Sequence, residues 1–337
     1  MRRHLPRRLK IKTQTDIIKP KINNTIKESD IKIDTSKPLI ALCCCGYAPS
    51  SLRYTVESIK KNIIDILKPE FNIDIYTYSY ISKNNIFESN DSKIHGTSVN
   101  NKDAELLGNN IVSIYQEDVS DTIKNILINK NIKLRDISIV NFIRGLLMEK
   151  DSFNHIMNSN KNYKSIIYVH PDMFISKPIS VTEIYNTINE SKSLYTTSFN
   201  DLGGYGTGFY IGNPNVLSII TSRIDQLDSI TKIEPEKLLK ICVTKSNITR
   251  YNSSMFHFKV RINGKPDVYY QLLKKYTNTK EYMATMLLFK ESVRKTITKS
   301  SPKPSSKPSP KPIMLDDNVN LHDKKSKRRH KRRSCPR

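Results

Sequence analysis

Between Asn162 and Pro178 the chain reads NYKSIIYVHPDMFISKP, and one carboxylate in it is placed for chemistry. The apolar run Ile166-Ile167-Tyr168-Val169 ends at His170-Pro171-Asp172, and Met173-Phe174 follows at once. Short runs of β-branched and aromatic residues between breakers predict buried strands. Proline donates nothing to a ladder, so Pro171 marks where pairing stops. Asp172 therefore falls just past the carboxyl end of a buried strand, where open α/β sheets keep their ligand chemistry. A carboxylate there can hold a divalent cation against a substrate phosphate. The same residues also spell a strand end closed by an Asp turn, and the stretch alone leaves both readings open.

The elements that must position Asp172 follow from periodicity. Pro38 to Gly46 is a first buried strand, and a loop from Tyr47 to Ser51 leads to a helix with Val56, Ile59, Ile63, Ile64 and Leu67 on one face. Ser50 or Ser51 is the expected cap and Pro69 the stop. Phe71 to Tyr80 alternates as a second strand, so this is a βαβ unit and a parallel sheet is favoured. Residues 82–109 are polar and read as a long surface loop or an insertion. Asn110–Gln116 is a third strand, Val140–Met157 a helix, 181–190 a helix and Leu194–Phe199 a strand. A glycine-dense loop, Asp201 to Gly208, then enters Phe209-Tyr210-Ile211-Gly212 and a helix from Pro214 to about Leu227. Pro235 opens a further helix to Lys245, residues 248–262 read as extended, and Tyr269–Leu288 as partly helical.

Composition bounds the class. The 337 residues can bury a sizeable core, and the net charge is +24. Residues 1–37 hold 11 Lys+Arg against 4 Asp+Glu, and residues 291–337 hold 15 against 4. The body between them keeps 30 against 24, so basicity belongs to the ends. The expected organisation is a disordered basic arm over 1–37, one domain over 38–290, and a disordered linker and basic tail over 291–337. Ser300–Pro312 is the Pro/Ser/Lys linker, and the block Lys324–Arg333 can bind polyanions or act as a nuclear signal. No apolar run reaches the roughly 18 residues a bilayer crossing needs, and no secretory signal is recognisable. Cys43, Cys44 and Cys45 alternate faces of one strand, and the count of five is odd, so reduced thiols are expected. The chain reads as soluble and intracellular.

Four pieces, in order, resemble a family of glycosyltransferase-like proteins found mainly in giant DNA viruses. They are Leu39–Asp65, Tyr168–Phe174 with Pro178-Ile179, Gly203–Arg223, and Pro235–Lys240 with Phe258–Arg261. The resemblance implies a GT-A-like, Rossmann-related fold, a mostly parallel sheet flanked by helices, and sugar transfer from a nucleotide-sugar donor to a glycan or protein acceptor. It implies a divalent cation, Mn2+ or Mg2+, with Asp172 as ligand. His170 then faces the diphosphate or simply finishes its strand. Gly203 and Gly204 allow close backbone approach to a ligand or form a turn. Glu236 is a general base or a first-turn glutamate favoured by the helix dipole. Arg261 pairs with phosphate or is solvated, and Arg53 and Tyr54 line a nucleotide pocket or do not. The sequence departs from the family where His170 replaces an arginine and Gly206-Thr207-Gly208 replaces Asn-Asp-Arg, which leaves Asp201 or Asp225 to supply a carboxylate. The alternative is a noncatalytic protein of this fold whose basic tails bind nucleic acid or an acidic virion surface.

Overall fold

The computed structural model describes residues 36–87, 96–132, 137–198, 201–229, 234–267, 271 and 278–300. The expected terminal arm and basic tail lie outside these residues, apart from Ser36-Lys37 at the start of the body and the helix described below.

Strand β1 (Leu39–Gly46) is followed by α1 (Ala48–Ile59), which continues through a π-helical turn (Lys60–Ile64) into α2 (Asp65–Leu67). Then come β2 (Asn72–Ile81), a 3-10 turn (Asn101–Glu105), β3 (Asn110–Tyr115), α3 (Ser120–Asn129) and α4 (Ile137–Met157). The second half holds β4 (Ser165–Val169), β5 (Met173–Lys177), α5 (Val181–Asn189), β6 (Ser193–Thr196) and β7 (Phe209–Gly212). It continues with α6 (Pro214–Thr221), a 3-10 segment (Ser222–Ser229), α7 (Pro235–Lys245), β8 (Thr249–Asn252), β9 (Phe256–Lys259) and α8 (Thr279–Ser300).

Seven strands form one sheet in the order β3-β2-β1-β4-β7-β6-β8, and β5 pairs with β9 in a separate ribbon. All neighbours in the large sheet are parallel except at β7, which runs antiparallel to both β4 and β6. The fold class is therefore mixed α/β, a mostly parallel sheet flanked by helices. Strand β1 shows why the central strands read as unbroken apolar runs: both of its faces are covered. Ile40, Leu42 and Cys44 pack toward α1 and α5, while Ala41, Cys43 and Cys45 pack toward α4, α6 and α7. The three consecutive cysteines thus alternate faces, and Cys43, Cys44, Cys45 and Cys242 are free thiols.

Several local expectations differ from the structure. Helix α1 begins at Ala48 with no side-chain cap, before the expected Ser50 or Ser51. The hydroxyl of Ser79 on β2 accepts from the Ala48 amide at 3.0 Å, so a neighbouring strand does the capping. Pro49 sits in the first turn, where its missing N–H costs nothing. The stretch 82–109 is not wholly loop, since it includes the turn Asn101–Glu105 and a bridge between Ile86 and Ser98. Helix α3 had no counterpart in the sequence reading.

Helix α8 continues past residue 290 to Ser300 because it is tied to α1. Ser292 and Thr296 hydroxyls donate to the carbonyls of Tyr54 and Arg53 at 2.8 and 3.0 Å. Its Phe289 stands 5.2 Å, centroid to centroid, from both Phe174 and Phe258, which stack at 5.1 Å across the β5–β9 ribbon. Among the described residues no helix is long and apolar enough to cross a membrane. Replacing Phe289 by Ala should cost about 3–5 kcal/mol of stability, as for other buried aromatics. A urea midpoint that does not move would show that α8 is dispensable to the core.

Candidate active site

The parallel strands share one carboxyl edge, and the order β3-β2-β1-β4 places a topological switch between β1 and β4. His170, Pro171 and Asp172 leave β4 at that point. A Cβ built on Gly46 would lie 2.4 Å from Pro171 Cδ, so the turn after β1 and the turn after β4 touch. The Thr55 hydroxyl donates to the Pro171 carbonyl at 2.6 Å, and the Val260 amide donates to the Asp172 carbonyl at 2.7 Å. Asp172 is therefore held by its backbone, and its side chain is partly exposed.

The reversal of β7 brings the glycine loop to the same edge. The chain climbs β6, crosses over the edge and descends β7, and Val169 pairs with Phe209. The His170 amide donates to the Gly208 carbonyl at 2.9 Å. Gly208 has φ +94°, and a Cβ there would come within 2.3 Å of Met173 Cε and 2.9 Å of His170 Nδ1. Gly204 is tighter still, with Glu236 backbone atoms 2.1 Å from a Cβ placed on it. The Tyr205 amide donates to the Glu236 carbonyl at 3.0 Å, and the Thr207 hydroxyl donates to Glu236 Oε1 at 3.3 Å. The loop is thus a rigid bridge from the first turn of α7 to the end of β4.

A buried ion pair underlies this bridge. Arg223 grips Glu149 with both terminal nitrogens, Nη2 at 2.9 Å from Oε1 and Nη1 on Oε2. Nη2 also donates to the Tyr210 hydroxyl at 3.0 Å, and Nη1 to the Ile220 carbonyl at 2.9 Å. His170 Nε2 stands 3.8 Å from Glu149 Oε1. Burial pushes the Glu149 carboxyl up, but Arg223 and His170 outweigh it and hold the group below the usual carboxylate range. Neither Glu149 nor Arg223 was singled out by sequence reasoning. The available signal was a glutamate on the apolar face of α4, beside Met148 and Ser152, a position that demands a buried partner.

The structure brings together some of the expected site residues and separates others. His170, Asp172 and the glycine loop, with Glu236 behind it, share the carboxyl edge. Asp201 is an anchor: it pairs with Arg250 at 3.1 Å and accepts from the Gly206 amide at 2.7 Å. Gly203, at φ +80°, only turns the chain, and the nearest atom to a Cβ there is Lys237 Cε at 3.8 Å. Asp225 pairs with Lys150 at 2.8 Å, and Arg53 with Asp103 at 2.5 Å. Arg261 is exposed in the turn after β9, where its amide donates to the Lys265 carbonyl at 2.8 Å. The cation facing Asp172 is instead Lys259, two residues earlier, with Nζ 4.0 Å from Oδ2. His257, on the same strand, is buried and pushed down to about 3 by that burial and by Lys259, with His170 adding to the shift and Asp172 opposing it, so it is neutral.

Asp172 Oδ1 is buried without a hydrogen-bond partner. An acceptor left so in a native fold calls for an explanation. A divalent cation fits this donor set poorly. Among the described residues no three His, Cys, Asp or Glu side chains are grouped to hold one. His170 turns Nε2 to Glu149 and packs Nδ1 on Gly208, and Lys259 already places a positive charge beside the carboxylate. An ion on Asp172 would stand a few ångströms from that ammonium, a repulsion of roughly several kcal/mol at an effective dielectric near 20.

No family model matches the chain, and no curated protein matches it. Among solved structures it is similar to a galactosyltransferase, LgtC, in complex with donor and acceptor sugar analogues, at 11% identity and TM-score 0.32. That match covers 64% of this chain and 73% of the other. It is also similar to mouse xyloside xylosyltransferase 1 in its apo form, at 9% identity and TM-score 0.37, over 64% of this chain and 84% of that one. A likeness of this size concerns the fold alone.

Two tests follow from the geometry. Gly204→Ala must push α7 off the loop and should lower the melting temperature markedly more than Gly203→Ala, whose cost is about 1–2 kcal/mol of left-handed strain. Equal effects would mean the loop does not dock on Glu236. Arg223→Met should cost about 3–5 kcal/mol near neutral pH, because it leaves the Glu149 carboxylate buried and unpaired. Glu149 has a lowered pKa, so its contribution is present above the ordinary carboxyl value of 4.5 and lost as pH falls through the folded value below it. Stability curves of the two proteins should therefore converge as pH falls below the ordinary carboxyl range, and parallel curves would refute the pairing.

Proposed function

We propose that the carboxyl edge around Asp172 binds a nucleotide sugar and transfers its sugar to a hydroxyl of a glycan or protein acceptor. The observation that carries this reading is the Asp172 carboxylate, partly exposed and without a side-chain hydrogen bond among the described residues, at the switch point of an open α/β sheet. Such a carboxylate suits a polyhydroxylated ligand, which brings the donors it lacks. The glycine loop supports the reading by bringing backbone close to that position, and the four pieces resembling glycosyltransferase-like proteins support it as well.

In this reading an acceptor hydroxyl oxygen bonds to the anomeric carbon as the bond to the diphosphate breaks. The electron pair leaves on the terminal phosphate oxygen, and the acceptor proton goes to a carboxylate. Glu236 is the residue assigned to that proton, since it borders the loop and is fixed by Thr207. Asp172 orients the sugar ring, and His170, clamped by Glu149 and Gly208, walls the site from the sheet side.

The test is a thermal-shift screen of the full chain against nucleotide sugars, followed by an assay for nucleoside diphosphate release. At least one donor should raise the melting temperature by mass action. Asp172→Ala should weaken binding of that donor about 10- to 100-fold, the worth of hydrogen bonds to a charged group. A folded protein that responds to none of the donors, with or without added manganese, would leave only a noncatalytic role for this fold.

A further inference from the structure

Asp172 and Lys259 stand side by side on the β5–β9 ribbon, where Met173 pairs with Lys259 and the Val260 amide closes on the Asp172 carbonyl. Their side chains do not satisfy each other. The 4.0 Å separation is an ion pair without a hydrogen bond, Oδ1 has no partner, and the Lys259 ammonium makes no hydrogen bond among the described residues. Both side chains are partly open to solvent, at 27% and 33% exposure, so a ligand can reach the ammonium and the carboxylate, though not the enclosed Oδ1 itself. We propose that Lys259 supplies the positive charge for the donor diphosphate, so that this site takes a nucleoside diphosphate without a divalent cation.

The inference rests on the nucleotide-sugar reading above and divides its ligand between two groups. The ammonium takes the phosphate, as a point charge that needs no fixed fork geometry. The neighbouring carboxylate oxygen takes a sugar hydroxyl. Charge grows on the terminal phosphate oxygen as the glycosidic bond breaks, and an ammonium already placed there stabilises it without reorganisation. His257 and His170 do not compete for this task. His257 is buried and neutral behind the lysine, and His170 is turned toward Glu149. A metal on Asp172 would have to displace Lys259 from it.

Calorimetric titration of the full chain with UDP, GDP, CDP and ADP tests this, each in excess EDTA and in MnCl2. At least one should bind with a dissociation constant that EDTA changes by less than about twofold. Lys259→Met should weaken that diphosphate about tenfold or more, leave the corresponding phosphate-free nucleoside unchanged, and be largely rescued in Lys259→Arg. Binding that EDTA abolishes and manganese restores would overturn the inference while leaving the nucleotide-sugar reading intact. So would an unchanged constant in a folded Lys259→Met protein. Absence of binding in both buffers would overturn the nucleotide-sugar reading itself, and the inference with it.

Discussion

The arrangement at the carboxyl edge depends on a carboxylate and a guanidinium that meet away from water. Glu149 and Arg223 come from different elements, α4 and the turn that follows α6, and both are almost fully enclosed. Isolated, either charge would be too costly to bury, so each is tolerated only while the other is in place. The pair also holds the Tyr210 hydroxyl of β7 and faces His170 at the end of β4. One contact therefore fixes a helix layer, a reversed strand and the residue that opens the candidate site. Apolar packing alone would let these elements slide, whereas a two-pronged ion pair permits one register.

The reversed strand has its own consequence. Had β7 run parallel to its neighbours, the segment before it would have crossed to the opposite edge of the sheet. Running antiparallel, β7 keeps residues 201–208 beside Asp172 with a short connection. The loop then has to pass between α7 and β4, and Gly204, Gly206 and Gly208 are positions where an added Cβ would clash. The glycines are thus explained first by packing, and their closeness to the site follows from it.

Much of the fold was legible because it repeats. Strands β1 and β4 are buried on both faces and read as apolar runs, β2 alternates, and α4 and α5 carry apolar residues at helical spacing. Helix α3 was missed because Ile126 and Ile128 dilute the stripe formed by Ile123 and Leu127, and Ile128 is 73% exposed. The position of Asp172 was readable from Pro171 and the switch-point rule. Its neighbours were not, because contacts between residues 87 apart, such as Asp172 and Lys259, leave no periodic trace. Arg261 attracted attention as a strand arginine, but β9 stops at Lys259 and the arginine falls in the turn. Asp201 looked like a free carboxylate because Arg250 lies 49 residues away.

The β5–β9 ribbon and α8 also set an order of events during synthesis. Strand β5 leaves the ribosome early, yet its partner and the helix that covers its aromatic face are among the last parts of the body to be made. Phe174 has no Phe258 to stack on until β9 arrives, and no Phe289 until α8 follows. Pairings this distant in sequence form late, since the intervening chain must first be ordered. The large sheet can assemble through β4 while the side of Asp172 that faces Lys259 is still missing. The candidate site is in this sense complete only once β9 arrives, and a nascent body short of α8 leaves the Phe174–Phe258 stack without its third ring.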